Sequence, residues 1–131
     1  MSGSLVDRIW DDVSARVGDD LRAVTRYDVD GYETRKRGDV EPQYSDREKR
    51  EMIDDTIVTQ LNLADTETAF KAGELHALVR VFDEAWVVSW TDRLPKKSGV
   101  MVSIQRGSDA TMADVEWVVD YLETGGDGLF D

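Results

Sequence analysis

Three segments of this chain begin with the same helix start signal, and each continues into apolar residues at helical spacing. The signal is a Ser or Thr three residues before an acid, and it occurs at Ser4 with Asp7, Ser45 with Glu48, and Thr111 with Asp114. In this arrangement, side chains accept hydrogen bonds from free backbone N–H groups at the helix N-terminus. The sequence therefore predicts a first helix ending at Gly18, a second of about four turns, and a third ending at Gly125-Gly126.

The second helix has an apolar stripe that we expect to face the core. Its members are Met52, Ile53, Ile57, Val58 and Leu61. The acidic pair Asp54 and Asp55 then turns to water.

Strand patterns fill the spaces between these helices. Residues 21–28 alternate in polarity, and the turn at 28–31 would return the chain as an antiparallel partner over residues 32–37. Residues 75–82, 86–90 and 100–104 read as three strands with short links, which is typical of an antiparallel meander. Residues 62–73 fit either a short helix or an ordered loop.

The resulting order is α-β-β-α-β-β-β-α, an α+β fold with a five-stranded antiparallel sheet flanked by helices. We expect one domain over residues 1–124 and a disordered tail over residues 125–131. This element order resembles the roadblock and profilin-like folds. The resemblance implies a domain that acts through protein contacts, although topology alone is a weak argument for function.

The charge balance indicates the solvent in which the chain works. Asp and Glu number 28 against 16 Lys and Arg, for a net charge of -12, and Asp outnumbers Glu 19 to 9. Such a surface stays soluble in concentrated salt, where a Debye length of roughly 3 Å screens its self-repulsion. We therefore predict an extreme halophile, a haloarchaeon, as the source.

Several classes of protein are excluded or disfavoured by composition. The chain has no Cys, so disulfides, thiolate nucleophiles and sulfur-ligated zinc or iron are excluded. No apolar run approaches the ~20 residues needed to cross a bilayer, and the first residues lack signal-peptide features. We expect a cytoplasmic protein that does not bind membranes.

Nucleic acid binding is disfavoured because the basic residues do not form a uniform patch. The densest basic stretch lies in residues 33–50 and contains Arg35, Lys36, Arg37, Arg47, Lys49 and Arg50. Acids are interleaved with them, so the stretch is nearly neutral and is typical of a mixed-charge loop and helix face.

No set of residues predicts catalysis, a cofactor or a metal. The chain has no phosphate loop, no nucleophile elbow and no zinc-binding helix motif. Asp28-Val29-Asp30-Gly31 is similar to the start of a calcium loop, but position 39, where the bidentate Glu should stand, is Asp. We therefore predict that the protein is not an enzyme and that it has no cofactor.

The single histidine, His76, should share a strand face with Arg80. It is most simply a partly buried residue of the sheet, and its alternative role is as a polar ligand contact beside Arg80. Trp86 and Trp90 share a face of the next strand and are typical core residues. They could instead line a groove or a dimer face, because tryptophan is enriched at binding hot spots.

A set of short motifs resembles a family of small uncharacterised haloarchaeal proteins that carries a domain-of-unknown-function label. The matching motifs are Arg26-Tyr27-Asp28, Gly31-Tyr32-Glu33, Gly38-Asp39-Val40, Tyr44-Ser45, Gly73-Glu74-Leu75-His76, Val79-Arg80-Val81-Phe82 and Ser98-Gly99-Val100. The resemblance covers about residues 5–123. It implies a halophilic source and a free-standing domain, and no activity or catalytic residue.

We therefore predict a non-enzymatic regulatory or adaptor domain that binds an unknown protein partner and forms a homodimer through an edge strand and helix two. The predicted interface residues are Ile53, Ile57, Trp86 and Trp90. The alternative is a small-molecule sensor that holds its ligand on the aromatic sheet face, with His76 and Arg80 as polar anchors.

Overall fold

The fold is built on one antiparallel sheet. A computed structural model describes residues 4–40, 45–91 and 98–124. The strands are β1 (Leu21–Tyr27), β2 (Tyr32–Lys36), β3 (Ala77–Val81), β4 (Ala85–Thr91) and β5 (Gly99–Gln105), in the spatial order β2-β1-β5-β4-β3. The predicted five-stranded antiparallel sheet is confirmed, with β2 and β3 as its two edges. The predicted tail at 125–131 lies outside the described residues.

Four helices accompany the sheet: α1 (Leu5–Val17), α2 (Asp46–Leu61), α3 (Leu63–Phe70) and α4 (Met112–Thr124). A short 3-10 turn, Gly18–Asp20, joins α1 to β1. Most of the ambiguous segment 62–73 is therefore helical, as α3, and it adds one element to the predicted order.

The predicted start signals are present as hydrogen bonds. The Ser4 hydroxyl accepts from the Asp7 amide at 3.2 Å. At α2 a full capping box forms, because Ser45 Oγ accepts from the Glu48 amide at 3.2 Å and Glu48 Oε1 from the Ser45 amide at 3.1 Å. Local hydrogen bonding thus sets where these helices begin.

Helices cover both faces of the sheet, and each face has its own core. On one face α1 and α4 pack on the strands, with Ile9, Val88 and Leu122 fully buried among the apolar side chains. On the other face α2 packs over Tyr27 and Met101. Both covers arise because sheet residues alternate in direction, so each strand has an apolar side toward each layer.

The inner face of α2 differs from the predicted apolar stripe. Ile53 and Ile57 are buried as expected, but Met52, Val58 and Leu61 are exposed. Their places toward the sheet are taken by two polar side chains, Thr56 and Gln60, which are both 1% exposed. The prediction was wrong here because it ranked residues by polarity, whereas Thr56 and Gln60 have hydrogen-bond partners on the strands.

Candidate interaction surface

The four predicted interface residues all lie in the interior of the monomer. Ile53 and Ile57 pack between α2 and the sheet, and Trp86 and Trp90 pack in the core under α1 and α4. The structure thus separates the two pairs onto opposite faces of the sheet. Because these four side chains are buried in the chain, they pack within the fold and are not exposed to a partner.

His76 and Arg80 also point to opposite faces. His76 Nδ1 lies 3.3 Å from Glu123 Oε1 on α4. Glu123 also accepts a hydrogen bond from the indole of Trp90. The prediction that His76 and Arg80 share a strand face is wrong. His76 precedes β3, so the alternation of side chains along the strand does not set its direction.

Arg80 joins the edge strand β3 to α2. Its Nη2 donates to Thr56 Oγ1 at 3.2 Å and to Ser89 Oγ at 3.0 Å. Its Nε is buried without a hydrogen-bond partner among the described residues. This side chain is therefore held between the strand and the helix, which places the outer end of β3 next to α2.

Apolar side chains are exposed on the elements around this junction. Val58 and Leu61 lie on the outer side of α2, Val79 and Val81 on β3, and Phe82 directly after β3. Val58 is 59% exposed and Val81 is 56% exposed. Val79 and Val81 pair with Val88 and Trp86 and therefore point to the face of the sheet that carries α1 and α4, opposite to α2. We call these five residues, which lie on both sides of the β3 edge, the apolar edge surface; exposed apolar groups near one sheet edge are typical of interaction sites.

The opposite edge of the sheet differs in chemistry. On β2 the exposed residues are Glu33 and Arg35. Arg35 is held over the ring of Trp10 on α1, 4.8 Å from its centroid, and its Nη1 lies 3.2 Å from Asp7 Oδ1. Charged residues of this kind discourage pairing with another strand. Of the two edges, β3 is therefore the one suited to pair with another chain.

The predicted apolar stripe wrongly placed Val58 and Leu61 in the core, although the sequence contains a signal for their exposure. Ile53, Thr56, Ile57 and Gln60 repeat at intervals of three, one and three residues, which is the spacing of a helix face. If Thr56 and Gln60 face the sheet, the same helical spacing places Val58 and Leu61 on the solvent side of the helix.

The Asp28 turn is closed by its own side chain. Asp28 Oδ1 accepts hydrogen bonds from the amides of Asp30 at 2.8 Å and Gly31 at 2.9 Å. This local turn explains the Asp-rich motif without a calcium ion. The parts of the chain that the structure describes contain no group of three or more His, Cys, Asp or Glu side chains arranged to hold a metal.

A family model described as a domain of unknown function, DUF7522, matches residues 7–124. The chain belongs to the DUF7522 family. The match leaves out only residues 1–6 and 125–131, so the fold described above is that of the DUF7522 domain. None of the curated proteins matches the chain.

Two solved structures resemble this DUF7522 domain. The Roadblock/LC7 domain from Streptomyces avermitilis shares 13% identity at a TM-score of 0.54, over 90% of this chain and 94% of that one. MglC from Myxococcus xanthus shares 16% identity at a TM-score of 0.52, over 95% and 96% of the two chains. The roadblock-like fold predicted from element order is therefore confirmed. Among the described residues, no helix combines the length and apolar character that a membrane crossing requires.

Proposed function

We propose that this DUF7522 domain is a non-enzymatic regulatory or adaptor domain that forms a homodimer through β3 and α2. One observation carries the proposal: β3 is an edge strand with exposed valines on the α1–α4 side of the sheet, and Arg80 links it to α2, which has exposed apolar residues on the other side. The roadblock-like fold supports a role in protein contacts, and the strand order of this chain leaves β3 at an edge.

A two-fold axis beside β3 would bring partners to the free strand edge of β3 and to the exposed apolar residues of α2 at the same time. Two antiparallel copies of β3 would pair their free backbone groups and extend the sheet across the dimer. The same axis would bring together the α2 helices, so that Val58 and Leu61 leave water. Fully burying one valine or leucine side chain contributes about 1.5–3 kcal/mol, so a few such residues on each copy supply a stable contact.

Arg80 prepares β3 for this role. Because its guanidinium is tied to Thr56 and Ser89, the strand is ordered before a partner arrives. An ordered strand loses less conformational entropy on association, which favours binding.

The homodimer can be tested with one pair of matched variants. Val81→Lys places a charge in the proposed contact, and Val29→Lys makes the same change at the β1–β2 turn, where Val29 is 53% exposed. Light scattering during size-exclusion chromatography in molar KCl should show a dimer for the native chain and Val29→Lys, and a monomer for Val81→Lys. A native chain that remains monomeric at high concentration would refute the dimer.

The adaptor role concerns a further protein. Capture from a lysate of the source cell at native salt, using the native chain and Val81→Lys as baits, should recover a partner with the native chain. Its loss with Val81→Lys alone would link partner binding to the dimer.

The proposed setting is the cytoplasm of an extreme halophile. The net charge of -12 and the excess of Asp over Glu support it.

A further inference from the structure

A second candidate site is a cavity between the first turns of α2 and strands β1, β2 and β5. Its volume is about 90 Å³, and it opens to solvent. The short side chains Ala23, Thr25 and Ser103 lie on its sheet side. Protein interiors are normally close-packed, so three short side chains beneath a covering helix leave room for a bound group.

The wall of this cavity is mostly apolar and contains two methionines. Met52 of α2 and Met101 of β5 line it together with Tyr32 of β2 and Val87 of β4. A thioether sulfur makes favourable contacts with an aromatic ring, and a methionine side chain adapts to the shape of what it contacts. The wall therefore suits an aromatic group better than an aliphatic one.

Hydroxyl groups on the sheet side give the cavity a polar end. The Thr34 hydroxyl donates to the Val24 carbonyl at 3.3 Å and lies 2.8 Å from Thr25 Oγ1. Because Thr34 has only one hydroxyl proton, Thr25 is the donor to Thr34, and the Thr25 oxygen can still accept. The Ser103 hydroxyl has no hydrogen-bond partner among the described residues. A ligand hydroxyl can therefore donate to Thr25 and accept from Ser103.

Three basic side chains also line the cavity, and each of them interacts with other groups of the chain. Arg22 Nη1 donates to Gln105 Oε1 at 3.0 Å. Lys49 Nζ lies 3.7 Å from Asp46 Oδ1, and both Lys36 and Lys49 have other interactions within the chain. A bound molecule is therefore not required to supply a negative charge, and the apolar wall favours a neutral one.

The volume limits the ligand to a single ring. A closed cavity of about 150 Å³ holds one benzene molecule, whereas this cavity is smaller and open on one side. One ring can enter with its outer edge at the mouth, but a fused ring system would extend into solvent.

We propose that this cavity binds a free neutral phenol, that is, one aromatic ring that carries a hydroxyl. The ring packs against Met52 and Met101, and the hydroxyl pairs with Thr25 and Ser103. The site goes beyond the proposed adaptor function and does not rest on the dimer, since none of the described residues that line it belongs to β3.

Four probes test the chemistry by amide chemical shifts of the intact chain in molar KCl. Phenol should shift the amides of Thr25, Thr34 and Ser103 in a saturable way. Toluene has a methyl in place of the hydroxyl and should bind at least about fivefold more weakly, because it leaves polar groups of the cavity unpaired. Cyclohexanol should bind more weakly because it lacks the aromatic ring, and benzoate because its carboxylate is costly to desolvate.

Two variants and a control test the location. Ser103→Ala should weaken phenol binding by about fivefold without weakening toluene binding, whereas general damage to the cavity would weaken both. Ser103→Leu should abolish binding of both probes by filling the space. Ser108→Ala, a matched change at an exposed serine outside the cavity, should leave both affinities within about twofold. Val81→Lys should do the same whether or not it dissociates the dimer.

Four results would each overturn the proposal. They are the absence of saturable shifts with phenol, toluene binding as tight as phenol binding, benzoate binding tighter than phenol binding, and a phenol affinity that Ser103→Ala does not change. Tighter binding of N-acetyltyrosinamide than of phenol would overturn the assignment to a free molecule and indicate a tyrosine side chain of a protein partner. None of these results depends on the oligomeric state, so the proposed dimer and the proposed ligand site can fail separately.

Discussion

Arg80 on the edge strand donates a hydrogen bond of 3.2 Å to the hydroxyl of Thr56 on α2, across 24 residues of sequence. Thr56 in turn donates to the Met52 carbonyl of its own helix at 2.9 Å. The hydroxyl thus serves as acceptor for the strand and donor to the helix. This bond holds together the two elements that form the apolar edge surface.

A double-mutant cycle measures this link. Arg80→Met and Thr56→Val should each lower the free energy of unfolding by about 1–3 kcal/mol, since each leaves buried polar groups without their partner. The double variant should lose less than the sum, with a coupling of at least about 0.5 kcal/mol in urea unfolding.

Arg106→Met is the control for that cycle, because Arg106 is an exposed arginine whose Nη1 donates to the Phe82 carbonyl. It should show no coupling to Thr56→Val. If the losses in free energy of unfolding for Arg80→Met and Thr56→Val are fully additive, the contact between the two side chains does not contribute to stability.

Gly99→Ala should be strongly destabilising. A Cβ at Gly99 would collide with the backbone carbonyl of Trp90 and lie 2.8 Å from the Tyr27 hydroxyl. A backbone atom of the adjacent strand cannot move aside without shifting the sheet, so we expect a loss of about 2–3 kcal/mol. Gly38→Ala, where no atom lies within 4 Å of the added Cβ, should change stability by less than about 0.5 kcal/mol. Similar melting temperatures for both variants would contradict the packing of β5 against β1 and β4.

Asp114 should stabilise the protein above mildly acidic pH. The hydrogen bond from the Thr111 amide, aided by Arg16, lowers the pKa of the Asp114 carboxyl from its ordinary value. Because the folded pKa lies below the unfolded one, this stabilisation is present above about pH 4 and is lost as the pH falls through the folded pKa.

Asp114→Asn should therefore reduce the free energy of unfolding at pH 7 by up to about 1 kcal/mol. The difference from the native chain should shrink as the pH is lowered below about 4. Glu116→Gln, a matched change at an exposed acid of the same helix, is the control. A difference for Asp114→Asn that stays constant between pH 7 and pH 3 would contradict the role of the ionised carboxylate.

Salt should stabilise the fold through screening of its acids. Raising KCl from about 0.1 M to about 1 M shortens the Debye length from roughly 10 to 3 Å, so the melting temperature should rise by several degrees. Replacing exposed Asp11 and Asp55 by Asn should reduce this rise, because it removes two of the 28 carboxylates. A melting temperature that falls with added KCl would refute the halophilic interpretation.

Local features explain most of what could be predicted from the sequence. The capping box at Ser45 and Glu48 and the closed turn at Asp28 involve residues at most three positions apart. Such interactions join residues that are close in sequence, so the helix starts and the β1–β2 turn were predicted at the right positions.

Long-range partners explain where the prediction of the site failed. The orientation of α2 depends on Arg80 for Thr56 and on the hydroxyl of Tyr27 for Gln60. Likewise, Lys36 and Lys49 belong to a stretch that is nearly neutral in sequence, and strand pairing and helix packing bring them beside Arg22. Neither arrangement can be read from neighbouring residues.

The amino-acid sequence alone therefore determined the element order apart from α3, the antiparallel sheet and the acidic composition of the chain, because periodicity, capping and charge are properties of short segments or of simple sums. The tertiary structure decided which side of α2 faces the sheet, which edge strand keeps exposed valines, and where three cations meet. Those features depend on contacts between residues far apart in the chain. Hydrogen bonds across these contacts make it favourable to bury Thr56 and Gln60. Val58 and Leu61 of the same helix are then exposed.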